Sequence, residues 1–122
     1  VEPAEVRPPR AITVLTQRFP VEVIGRDEPM TFGAGHTTLG VTGLDEQAIR
    51  VKALGPGGIG PDVQREVVLH ETLHALFYLH KFSRYLASQE QHGEEFIDAL
   101  APALLALLRQ NPALVRYLLE KP

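Results

Sequence analysis

The hydrophobic pattern divides the chain in two. The first half carries short β-branched runs: AITVLT (11–16), VEVI (21–24) and AIRVKAL (48–54). In the last, Ile49, Val51 and Ala53 alternate with Arg50 and Lys52, the period of a half-exposed strand. The first two read as two strands, or as one broken near Phe19-Pro20, with Glu22 on a wet face. Residues 44–47 (LDEQ) read as a hairpin turn. TFGAGHTTLGVTG (31–43) reads as a flexible strand and turn, its glycines permitting tight bends.

The second half is helical by pattern. A helix is predicted from about 62 to 81, after the loop GPGGIGP (55–61), with Asp62 as the expected N-cap. KFSRYLASQEQHG (81–93) is polar and either extends that helix or forms a short second one. EEFIDALAPALLALLRQ (94–110) is a helix in which Ile97, Leu100, Leu104, Leu107 and Leu108 are the expected buried stripe. Pro102 should kink it. Asn111-Pro112 ends it and opens a last helix with proline at its first position. Strands followed by helices give an α+β class: a small twisted sheet of three or four strands packed on the 62–81 helix, closed by the C-terminal helices. Residues 1–10, with three prolines, read as an extended arm, and 11–122 as one domain.

Composition narrows the chemistry. With 12 basic against 15 acidic residues, a net charge of −3 and no basic block, nucleic-acid binding has no electrostatic support. No apolar run approaches the roughly 20 residues that cross a bilayer, and no signal peptide is visible. The chain has no cysteine, which excludes disulfides, thiolate metal sites and a cysteine nucleophile, and fits a cytoplasmic protein. GAG (33–35) lacks the Lys-Ser/Thr and the helix of a phosphate-binding loop. His36 reads as a surface or hydrogen-bonded histidine.

The candidate chemistry lies in VVLHETLHALFYLH (67–80). His70-Glu71-Thr72-Leu73-His74 has the form H-E-x-x-H. Residues i and i+4 share a helix face, so His70 and His74 can aim two imidazoles at one Zn²⁺. Glu71 is turned by about 100° and reaches the rim of that site, where a carboxylate can take a proton from an activated water. Histidines and an acid on an apolar helix are costly without such a task.

Four residues compete to be the third ligand. The spacing His70, His74, His80 resembles the metzincin pattern H-E-x-x-H-x-x-G-x-x-H, but Phe77 stands where that family has glycine, and an unbroken helix turns His80 aside. His92-Gly93-Glu94-Glu95-Phe96 resembles the H-G-x-x-F element of SprT-like proteases, which implies His92 as ligand. Glu94 gives a gluzincin arrangement and extends the stripe through Ile97 and Ala101; it is preferred, with His92 second. Glu94 with Asp98 resembles the E-x-x-x-D of thermolysin-like enzymes, with Asp98 supporting a ligand histidine. Glu95 faces about 100° away, and acidic residues favour a helix start in any case.

Residues 67–119 as a whole resemble the small metallopeptidase-like proteins encoded by bacteriophages. The resemblance implies a minimal zincin fold, zinc as cofactor, a peptide or protein substrate, Glu71 as general base, and a place in the host cytoplasm. Tyr78, Tyr85, Tyr117, His80 and His92 are candidate oxyanion donors. Two other readings stand beside it: a catalytically inactive zinc-binding or regulatory module, and a hydrolase of a non-peptide amide such as a cell-wall bond.

Overall fold

The fold is α+β, a four-stranded mixed sheet and three helices in a computed structural model that describes residues 7–25, 39–55, 58–82, 84–85 and 93–120. The strands are β1 (Ala11–Val14), β2 (Gln17–Ile24), β3 (Gly40–Gly43) and β4 (Ala48–Lys52), in the order β1-β2-β4-β3. The helices are α1 (Pro61–Leu79), α2 (Gly93–Gln110) and α3 (Pro112–Leu119).

β1 and β2 form a hairpin turning at Leu15-Thr16, with Leu15 at φ 55°. Pro20 does not break β2. The strand pairs with β1 through residues 17–20 and, in parallel, with β4 through 21–24. Pro20 thus sits where β2 changes partners, and the next amide, that of Val21, donates to the Arg10 carbonyl at 2.8 Å. A proline is tolerated at such a point because few ladder bonds depend on its missing N–H. β3 and β4 form an antiparallel hairpin across 44–47.

Register decides which side chains face the helices. Ile12 pairs with Phe19, and Ile49 with Val21 on one side and Thr42 on the other. Ile12, Val14, Phe19, Ile49 and Val51 make the sheet's share of the core. The opposite face is polar, with Arg50 bonded to its cross-strand neighbour Glu22 at 2.8 Å.

α1 begins with Gly60 as N-cap and Pro61 at the first helical position, so Asp62 is not the cap. Proline's fixed φ and missing N–H suit that first position, which moves Asp62 into the first turn, where it binds Arg65 at 3.1 Å. One stripe of α1 is buried: Gln64, Val68, Glu71, Thr72, Ala75 and Leu76, with Arg65 beside it. The helix ends at a left-handed residue, Lys81 (φ 58°), and the Phe82 amide donates to the Phe77 carbonyl, a C-terminal closure of the Schellman kind. This turn drives Phe82 into the core, where it meets Phe77, Tyr85 and Phe96 at ring separations of 5.5, 6.3 and 5.7 Å. The start of α2 is thereby held against the end of α1.

α2 runs through Pro102 without interruption. Pro102 and Asp98, whose carbonyl loses its donor, lie on the exposed side, where water replaces the missing bond. The buried stripe of α2 differs from the expected one. Ala103 and Leu107 are buried, with Phe96, Ala99, Leu100 and Leu104 packed against the core; Ile97 and Leu108 face outward. Asn111 closes the layer: its Oδ1 accepts from the Thr13 amide, and its Nδ2 donates to the Thr13 and Leu107 carbonyls, each at 2.7 Å. With its side chain committed to β1, α3 starts on Pro112 instead. No helix among the described residues is long and apolar enough to cross a membrane.

Candidate metal centre

His70 and His74 project from the exposed side of α1, with their Nε2 atoms 3.1 Å apart and their rings at 77°. Two ligand atoms each about 2.05 Å from one tetrahedral Zn²⁺ are about 3.3 Å apart, so the pair has a separation that one ion can bridge. Only imidazole and carboxylate donors are on offer, a set suited to a catalytic zinc with open positions. The residues present therefore fit two of the metal's ligands.

Glu71 is placed differently from its neighbours. It is 7% exposed and faces the sheet. A buried carboxylate needs donors, and β3 supplies one. The Thr42 hydroxyl lies 2.8 Å from Glu71 Oε1 and 2.9 Å from the Glu71 carbonyl, so its proton is shared between two acceptors. The other carboxylate oxygen, Oε2, is 3.9 Å from Nε2 of His70. One oxygen is tethered to the sheet while the other looks toward the imidazoles.

The contact is close because β3 carries glycine at 40. Gly40 and Thr42, two residues apart, both face α1. A Cβ at Gly40 would stand 2.3 Å from Val67 Cγ1 and 3.3 Å from Glu71 Cγ. Beside this contact lies an open depression of about 330 Å³, walled by Leu39, Val63 and Val67, with Glu66, His70 and Glu71 at its rim. A larger one, about 450 Å³, lies elsewhere, between Arg7, Arg10, Val21, Leu54 and Gln64. It holds none of the histidines, so size alone does not mark the site.

The remaining candidates scatter. His80 caps α1 and stacks on Phe82 at 5.2 Å, a role that turns it away from the pair. Glu94, Glu95 and Asp98 are all exposed on α2. Phe96 faces the core, packing 5.8 Å from Phe77, and Glu94 stands two residues earlier, about 200° around the helix. Among the described residues no three His, Asp or Glu side chains converge to hold a metal ion. His92, and His36 with it, lie outside the described residues. Of the tyrosines, Tyr78 is exposed and Tyr85 belongs to the aromatic cluster. Tyr117 is buried on α3 and donates to Gln64 Oε1 at 2.7 Å. Its phenol is pushed up to about 12 by burial, which the nearby Arg65 guanidinium opposes in part.

Thr42 had no signal in the sequence. A single threonine in a Gly-Thr-rich stretch gains meaning only from its partner 29 residues later. Compared with protein-family models, with curated proteins and with solved structures, the chain matches none.

Proposed function

We propose that the chain is a zinc-dependent peptide hydrolase. The observation that carries this reading is the triangle of two exposed imidazole nitrogens 3.1 Å apart and a buried carboxylate whose Oε2 faces them. His70 and His74 would hold the ion through Nε2. A further ligand comes from His92 or Glu94, at the start of α2. Zn²⁺ held there supplies a Lewis acid and makes a water acidic near neutral pH. Glu71 Oε2 receives the proton of the attacking water and passes it to the leaving amine. Thr42 keeps Oε1 occupied, so the carboxylate presents one oxygen in one orientation, and the substrate finds its base already positioned. The likeness of residues 67–119 to phage-encoded metallopeptidase-like proteins supports the same reading and a host-cytoplasmic setting.

One observation favours a second reading. No third donor converges on the pair among the described residues, as would suit a zinc-binding or latent module that does not hydrolyse.

The test compares the wild type with Glu71→Gln, His70→Ala, His92→Ala and Glu94→Ala, measuring bound zinc and cleavage of casein, peptides and cell-wall amides. Zinc retained with peptide cleavage lost in Glu71→Gln supports the proposal. Zinc bound with no cleavage by any form leaves the binding module. Failure of the wild type to take up zinc defeats both. Whichever of His92→Ala and Glu94→Ala loses zinc names the third ligand.

A further inference from the structure

α2 has two apolar faces, and the fold uses only one. At about 100° per residue, its core-facing residues Phe96, Ala99, Leu100, Ala103 and Leu107 occupy one arc of the helix. Beside that arc lies a second, formed by Ile97, Ala101, Leu105 and Leu108. All four are exposed: Ile97 55%, Leu105 46%, Leu108 38%, and Ala101 with them. Three large aliphatic side chains in line on one helix make a continuous patch rather than scattered surface residues.

The order of residues along this arc is symmetric about Ala101. Ile97 lies four residues before it and Leu105 four after. Glu94 lies seven before and Leu108 seven after, with Arg109 next to Leu108. An antiparallel copy of the same helix, crossing at Ala101, would therefore set Ile97 against the partner's Leu105, and Leu105 against the partner's Ile97. Glu94 would stand level with the partner's Leu108 and Arg109. The small side chain at the crossing point permits the ~8 Å approach of closely packed helices. Charge agrees with this polarity. The acidic residues Glu94, Glu95 and Asp98 are at the N-terminal end of α2, and Arg109 is in its last turn. Antiparallel packing brings opposite charges together at both ends, whereas parallel packing would juxtapose like charges. A self-complementary patch of this kind is what a two-fold interface requires.

We propose that two copies of this chain associate through the outer faces of their α2 helices, antiparallel and centred on Ala101. The contact is one helix wide, near the lower end of specific interfaces, so the dimer forms reversibly with concentration. It does not depend on the hydrolase reading.

The test is sedimentation equilibrium of the full chain up to about 1 mM, a range that detects dissociation constants tighter than millimolar. Four variants are compared, each checked for its fold by circular dichroism: Ile97→Glu, Leu105→Glu, Arg109→Glu and the double variant Glu94→Arg with Arg109→Glu. Because every substituted residue is exposed, the monomer should fold. The wild type is expected to dimerise. Ile97→Glu and Leu105→Glu should weaken the dimer at least about tenfold. Arg109→Glu should weaken it and the double variant restore it, since exchanging the charges regenerates both pairs. A wild type that stays monomeric across the range overturns the proposal. So does a dimer insensitive to Ile97→Glu and Leu105→Glu. A monomer that co-sediments with anionic vesicles would assign the face to a lipid surface instead.

Discussion

The hydroxyl of Thr42 is within hydrogen-bond distance of two oxygens of Glu71, Oε1 at 2.8 Å and the main-chain carbonyl at 2.9 Å. It ties the sheet's β3 edge to the H-E-x-x-H segment at the one acidic residue of that segment. A carboxylate this well buried is costly without a donor, so the tether acts on stability as well as on orientation.

Thr42→Val keeps the shape and deletes the donor. It is expected to destabilise the fold by about 1–3 kcal/mol, read as a lower urea midpoint at unchanged slope. Thr42→Ser should recover most of that loss. On a hydrolysed peptide, Thr42→Val should lower kcat more than it changes KM, because it alters the base and not the binding surface. A serine variant as impaired as the valine one would show that the methyl group, not the hydroxyl, matters.

Asn111 makes three hydrogen bonds through one amide, two of them to Thr13 and the third to Leu107. Asn111→Ala removes all three and strands the Thr13 groups near the core. A loss of about 2–4 kcal/mol is expected, enough to move the thermal midpoint by several degrees. Gln110→Ala, at the exposed position before it, serves as the neutral comparison. Equal effects at the two positions would contradict the bracing role given to Asn111.

Tyr117 makes stability fall at high pH. Its phenol ionises at about 12 in the fold, against an ordinary value of 10.0. The raised value means that the folded state keeps a proton the unfolded chain has lost. The contribution is complete below pH 10 and is lost as pH rises from 10 toward 12, by up to about 2–3 kcal/mol. Spectrophotometric titration of the three tyrosines should show one ionising late or only on unfolding. In Tyr117→Phe that component should vanish and the alkaline decline in stability flatten. Three tyrosines titrating together in the native protein would contradict this.

Much of the architecture was readable from local pattern. Alternation placed Ile49 and Val51 inward, and the Asn111-Pro112 step marked the last helix start, because both depend on neighbours in sequence. The errors arose where a local pattern admits two answers. α2 carries two adjacent apolar arcs, and periodicity alone cannot say which one the sheet covers; the choice of Ile97 and Leu108 as core residues followed from that. It also carried Glu94 to a face that points away from α1. Asp62 lost the N-cap to Gly60 because Pro61 already fitted the first helical position. For the candidate site, the i, i+4 geometry of His70 and His74 was legible, since a helix fixes it. The burial of Glu71 and its tie to Thr42 were not, since they depend on how a distant strand meets the helix.

The change of partners along β2 has a mechanical consequence. Its first half belongs to β1, which Asn111 fastens to the C-terminal helices; its second half belongs to β4, beside the strand that grips Glu71. Within the sheet, the Pro20–Val21 junction is thus a splice through which both halves are joined. Slack at that splice would let the histidine-bearing helix drift relative to the start of α2, so the span between these two helices is set partly by a strand that touches neither histidine.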